Sequence, residues 1–149
     1  MIGFLKRLLD ETSQTEVPED DARLAMTALL VKVARSDWDY SSAERTRIDE
    51  ILTQRYDLSP AEAAELRVEG EKVEADALDT VQFTRAIKRA VDFEDRESVI
   101  EALWDLVLSD GHRDQEEDTA LRKIAPLLGI SDVDSALARQ RVQSRRPQT

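Results

Sequence analysis

The sequence predicts an all-α fold, a single-domain helical bundle of about seven or eight helices. Its 149 residues are enough for one domain, and Gly and Pro number only four each. Aromatic residues make up 5% of the chain, so strand-forming residues are scarce. Apolar residues recur at helical spacing between capping residues, and this pattern occurs twice. These observations favour helices over sheet throughout.

The first half of the chain contains four predicted helices. Residues 2–10 have the spacing of a short amphipathic helix, and a polar linker follows it. The helix at about 18–36 is apolar on nearly all sides, which predicts that it is buried. A third helix covers about 42–56. A fourth begins at Pro60, because Ser59 is a good N-cap and proline fits the first helical position.

The second half continues in the same way. A fifth helix lies within 78–93, and its predicted core residues are Val81, Ala86, Ile87 and Ala90. The sixth, at about 93–109, is apolar on most sides and contains Trp104, a predicted core residue. The seventh, at about 115–128, ends at Gly129, and Ser131 caps the eighth.

The two halves resemble each other. A shift of 73 residues lays Ser36 and Asp37 on Ser109 and Asp110, and with one inserted residue "YDLSPAEAAEL" matches "LGISDVDSAL". Each half contains a buried helix, an acidic loop, an amphipathic helix and a capped helix. Packing the halves together would bury both apolar helices, so we predict a bundle of two pseudo-symmetric helical units.

Charge and composition exclude several classes of function. The net charge is −11, and the four arginines after residue 138 leave −15 on the preceding part. An acidic body repels phosphate backbones, so we expect no nucleic-acid partner. The chain has no cysteine and one histidine, His112, which excludes thiolate sites, disulfides and histidine-rich zinc sites. It has no apolar run of membrane-spanning length and no signal-peptide pattern.

The same patterns suggest three parts. We expect an N-terminal amphipathic helix and linker at 1–17, a helical domain at 18–140, and a basic, disordered tail at 141–149. We also expect a cytoplasmic location.

The two acidic loops are the candidate functional sites. Ser41 with Glu44, and Asp114 with Glu117, each fit a capping box, so both glutamates have a structural explanation. Asp37 and Asp110 each follow a helix C-terminus, where the helix dipole disfavours negative charge. Either these aspartates stabilise the loop through backbone N–H groups, or the loops bind Ca²⁺, Mg²⁺ or Mn²⁺. The candidate ligands are Asp37, Asp39 and Glu44 in the first loop, and Asp110, Asp114 and Glu117 in the second.

Neither loop is an EF-hand. That motif requires Gly at loop position 6 and Glu at position 12. Starting at Asp37, these positions hold Ser42 and Ile48, and starting at Asp110 they hold Gln115 and Leu121.

The unit "ALLVKVARSDWDYSSAERTRIDEIL" resembles the repeat of the tellurite-resistance TerB-like family. In that repeat an apolar helix is followed by Asp-Gly, five residues, Glu and a second apolar helix. Asp110, Gly111 and Glu117 match this pattern, whereas Trp38 replaces the glycine in the first copy. The resemblance covers about residues 20–140. It implies a helical bundle with an acidic surface and association with the tellurite-resistance and stress-response system.

We therefore predict a non-enzymatic helical module that binds a metal ion or a protein through its acidic loops. The alternative is a protein-interaction adaptor without metal, which uses Trp38 and the N-terminal residues Phe4 and Leu5. Residues 1–10 could also lie on a membrane surface or pack on the bundle. A carboxylate-based hydrolase ranks below both, because an exposed acidic loop is a poor place to raise a carboxyl pKa.

Overall fold

The computed structural model describes residues 19–37, 40–76, 81–91, 93–108 and 115–145. In this part of the chain every regular element is helical, which confirms the all-α class. The predicted helix at 2–10 lies outside the described residues. The seven α-helices are α1 (Glu19–Ala34), α2 (Ser42–Tyr56), α3 (Pro60–Asp76), α4 (Val81–Ala90), α5 (Phe93–Val107), α6 (Gln115–Leu127) and α7 (Asp132–Arg145). A 3-10 turn, Arg35–Asp37, continues α1.

Helix α1 lies at the centre of the bundle. It packs most extensively on α3 and α4, and it also contacts α2, α5 and α6. Contact on several sides explains why its sequence lacks a polar face. The prediction of a buried helix is confirmed by its fully or almost fully buried residues Ala25, Met26, Ala28, Leu29, Leu30, Val31, Val33 and Ala34.

The structure has two related units, α1–α3 and α5–α7. In each unit the first helix packs most extensively on the third, α1 on α3 and α5 on α7. The middle helix of each unit crosses to the other unit, since α2 contacts α5 and α6 contacts α1. Both members are buried in three pairs of residues that lie 73 positions apart: Leu30 and Leu103, Ile48 and Leu121, and Ile51 and Ile124. The sequence repeat therefore corresponds to a repeat of helix contacts and buried positions.

The turn after the middle helix is also repeated. Asp57 (φ 55°) and Gly129 (φ 77°) both adopt the left-handed conformation that ends a helix. Ser59 and Ser131 then cap the next helix, and each hydroxyl oxygen accepts a 3.1 Å hydrogen bond from the backbone N–H three residues on. The predicted roles of Ser59, Gly129 and Ser131 are confirmed.

Two helices approach closely where Gly70 of α3 faces Thr27 of α1. A Cβ added at Gly70 would lie 2.5 Å from the Thr27 Cγ2 atom. Thr27 is fully buried, and its hydroxyl donates a 2.7 Å hydrogen bond to the carbonyl of Arg23. A glycine lets the two backbones meet here, so the most extensive helix contact of the first unit depends on it.

Trp104 belongs to the core, as predicted. It is 4% exposed, and its indole N–H donates a 3.1 Å hydrogen bond to the Ser135 hydroxyl oxygen on α7. The Arg139 guanidinium covers the ring at 5.6 Å. The polar atom of the indole thus has a partner, which a buried tryptophan needs.

Two details differ from the sequence analysis. Val81 is exposed rather than core, because α4 starts there and turns Phe83 and Ile87, four residues apart, into the bundle. Residues 141–145, which we placed in the tail, form the last turn of α7. Val142 continues the buried face of that helix, and Arg145 lies 3.0 Å from Glu101 of α5.

Candidate functional site

The first acidic loop ends in a capping box that uses Glu44. Ser41 is the N-cap of α2, and its hydroxyl oxygen accepts a 3.1 Å hydrogen bond from the Glu44 N–H. The Glu44 carboxylate accepts bonds in return from the Ser41 N–H at 3.2 Å and the Ser41 hydroxyl at 3.3 Å. Glu44 is only 5% exposed. The capping box is confirmed, and this carboxylate faces the helix terminus.

Arginine side chains surround the end of this loop. The guanidinium groups of Arg35 and Arg45 lie over the Tyr40 ring at 5.0 and 5.2 Å. Arg35 also pairs with Glu74 of α3 at 2.7 Å, and Arg45 donates a 3.1 Å hydrogen bond to the Tyr40 carbonyl. Both contacts hold positive charge next to the loop.

The Tyr40 hydroxyl ties the loop to α3. It donates a 2.6 Å hydrogen bond to Glu71, which also pairs with Arg67 at 3.0 Å, and Arg67 pairs with Asp49 of α2 at 2.7 Å. Burial, together with the hydrogen bond to Glu71 and its charge, raises the pKa of Tyr40 above its ordinary value. Burial alone would lower the pKa of Arg67, but Asp49 and Glu71 raise it on balance. We call Tyr40, Asp49, Arg67 and Glu71 the loop anchor.

The described contacts of the first loop involve one of its predicted ligands and two arginines. The Oε1 atom of Glu44 is engaged at the helix terminus, and Arg35 and Arg45 lie over Tyr40, the residue before the N-cap. Nearby positive charge opposes binding of a divalent cation through simple repulsion. Hydrogen bonds of Tyr40 hold the loop to α2 and α3.

The side chains of the other five predicted ligands lie outside the described part of the structure. Asp37 ends the 3-10 turn and Glu117 lies in the first turn of α6, but their side chains are outside the described part. Asp39, Asp110 and Asp114 also lie outside it. No group of three or more acidic or histidine side chains with metal-binding geometry occurs among the residues that the structure does describe. The partner-binding candidates Trp38, Phe4 and Leu5 lie outside as well.

The second loop differs from the first at the positions of Arg35 and Arg45. In the register that lays Asp37 on Asp110, Leu108 and Asp118 replace Arg35 and Arg45. Residues 35–45 contain two arginines and three acids, whereas 108–118 contain one arginine and five acids. Arg35 and Arg45, which lie over Tyr40 in the first loop, therefore have no arginine counterparts at the matching positions of the second.

The loop anchor was missed by sequence reasoning. Arg67 and Glu71 are four residues apart on one helix, which is a readable ion-pair spacing. The bonds of Tyr40 to Glu71 and of Asp49 to Arg67 connect different elements, and no spacing in the sequence predicts them.

The described part thus defines a class: a two-unit helical bundle in which each unit places an acidic loop after its buried helix. Comparison with known families gives the identity of that class. A model of the family described as tellurite resistance protein TerB matches residues 23–140, most of the chain, and the chain belongs to this family. Searches of curated proteins and of solved structures each returned no match. None of the described helices is long and apolar enough to cross a bilayer.

Proposed function

We propose that this TerB-family protein is a non-enzymatic, cytoplasmic module that binds a divalent cation through its second acidic loop. The ligands are Asp110, Asp114 and Glu117, whose oxygen atoms suit Ca²⁺, Mg²⁺ or Mn²⁺. The observation that carries the proposal is the contrast between the two loops. In the first loop Arg35 and Arg45 lie over Tyr40, and the second loop carries Leu108 and Asp118 at the matching positions.

In this proposal the loops have divided roles. The first loop holds α2 and α3 of its own unit together through the loop anchor and the capping box. The second has no arginine at the two matching positions and contains the Asp-Gly and Glu of the family pattern, at Asp110, Gly111 and Glu117. Family membership supports a role in tellurite resistance and the related stress response. Other proteins of that system are the partners we expect.

Calorimetric titration tests the proposal. The purified full-length protein is titrated with Ca²⁺, Mg²⁺ and Mn²⁺, alongside Asp110→Ala and the matched variant Asp37→Ala at the equivalent position of the first unit. We expect saturable binding of at least one ion by the wild type and by Asp37→Ala, and no binding by Asp110→Ala. Flat traces with all three ions, or loss of binding in Asp37→Ala alone, would contradict the assignment.

A second candidate function is binding of a protein partner without metal. An exposed apolar pair on α7 favours it, since Val133 is 69% and Leu137 is 45% exposed one helical turn apart. This version predicts that Asp110→Ala and Glu117→Ala leave partner capture unchanged while Val133→Asp with Leu137→Asp abolishes it. Pull-down with the proteins of the tellurite-resistance system distinguishes the two versions.

A further inference from the structure

A groove between the start of α1 and α3 has an apolar floor and an acidic rim, and its lining residues include four acids and one cation, Arg23. The partly buried side chains of Leu24, Leu58 and Leu66 form the floor, and the volume is about 430 Å³. Glu65 and Glu69 of α3 stand on the rim and are exposed. Neither carboxylate forms an ion pair with another described residue. The groove therefore combines an apolar surface with negative charges that are free to meet a cation.

The chain contains a segment of matching chemistry, residues 2–9, which lie outside the described residues. Their spacing predicts a helical stripe containing Ile2, Leu5 and Leu9. Lys6 follows Leu5 directly and lies four residues after Ile2, so on a helix it flanks this stripe. An apolar stripe flanked by lysine complements an apolar floor with a glutamate rim.

We propose that residues 2–9 dock as a helix in this groove. A helix of eight residues is about 12 Å long, and the α3 rim from Glu62 to Glu69 is about 10 Å long, so the lengths agree. Residues 10–18 connect the segment to Glu19, the start of α1. Nine extended residues reach about 30 Å, which allows the chain to turn back onto the first turns of α1, where the groove begins. The inference is independent of the cation proposal.

The chain's own segment is favoured over one from a second copy because it is tethered. A short linker gives an effective concentration in the millimolar range, which is above ordinary protein concentrations. The groove should therefore be filled within each molecule. A second copy would compete only in concentrated solution.

Introduced cysteines test the docking, because the natural chain has none. The full chain carrying Lys6→Cys with Glu65→Cys is oxidised at low concentration. A matched control carries Lys6→Cys with Ser144→Cys, an exposed position on α7, which packs on α5 and α6 rather than α3. We expect a disulfide within single chains in the first pair and little in the control. Adding Leu5→Asp and Leu9→Asp should reduce the yield roughly tenfold or more, because it removes the apolar stripe.

Three outcomes would overturn the proposal: disulfide-linked dimers in place of intramolecular bonds, equal yields in both pairs, or no disulfide in either. A measurement without cysteines gives an independent check. Trypsin should cleave at Lys6 and Arg7 more slowly in the wild type than in Leu5→Asp with Leu9→Asp. Equal cleavage rates, with both proteins equally helical by circular dichroism, would also overturn the docking.

Discussion

The hydrogen bond from the Tyr40 hydroxyl to Glu71 ties the first acidic loop to α3, and Tyr40→Phe removes only this bond. The bond to Glu71 is 2.6 Å long and charge-assisted. The aromatic ring would remain beneath the guanidinium groups of Arg35 and Arg45. The substitution therefore separates the hydrogen bond from the packing and cation–π contacts of the same side chain.

The expected loss follows from the surroundings of this bond. A hydrogen bond to a charged group contributes about 1.5–3 kcal/mol. Tyr40 is only partly buried and Glu71 keeps its pair with Arg67, so we expect the variant to lose about 1–1.5 kcal/mol of unfolding free energy. Urea denaturation at neutral pH measures it, and a double-mutant cycle with Glu71→Gln isolates the coupling. Additive effects of the two substitutions would refute the loop anchor.

The same bond predicts a dependence on pH. Because the pKa of Tyr40 is raised in the folded protein, its contribution to stability is fully present below the ordinary tyrosine pKa of about 10. It is lost as the pH rises further, since the unfolded chain then releases the proton first. The difference in stability between the wild type and Tyr40→Phe should therefore shrink above about pH 10. Ultraviolet titration of Tyr40 in a Tyr56→Phe background reads the pKa directly, and an ordinary midpoint would refute the prediction.

Two further predictions concern the helix contacts. Gly70→Ala should destabilise the protein by about 1–3 kcal/mol in urea denaturation, despite the better helix propensity of alanine. Adding Thr27→Ser should restore part of the loss, because it deletes the Cγ2 methyl group that the new Cβ would meet. An unchanged or higher stability of Gly70→Ala alone would contradict the close approach. At the two left-handed positions the substitutions should have opposite signs, with Gly129→Ala destabilising by about 1 kcal/mol and Asp57→Gly stabilising by a few tenths. Thermal unfolding compares the two, and equal signs would contradict the equivalence of these turns.

Much of the fold could be predicted because its determinants are local. The capping residues Ser41, Ser59 and Ser131 fix helix starts within one turn of sequence. The central position of α1 followed from its lack of a polar face, and the repeat followed from matching patterns in the two halves. These signals require no knowledge of which helix packs on which.

What the sequence left open depends on contacts between elements. The approach of Gly70 to Thr27, and the bond from Tyr40 to Glu71 across 31 residues, become visible only when α1, α2 and α3 are packed. Val81 was misplaced for the same reason, since the start and rotation of α4 decide which of its apolar residues face α1. The contacts of Arg35 and Arg45 with Tyr40 were also not predicted, because they depend on how the loop folds back over its own ends.

The division of roles between the two loops is tested most directly by comparing Glu44→Gln with Glu117→Gln. Glutamine can still complete a capping box, so each variant removes a charge and leaves the helix start in place. Urea denaturation is measured with and without the cation that the wild type binds. At about 100 times the Kd, binding to the folded state alone adds about 2.7 kcal/mol of stability. The wild type and Glu44→Gln should gain this increment, and Glu117→Gln should not. An increment that persists in Glu117→Gln, or disappears in Glu44→Gln, would contradict a cation site in the second loop.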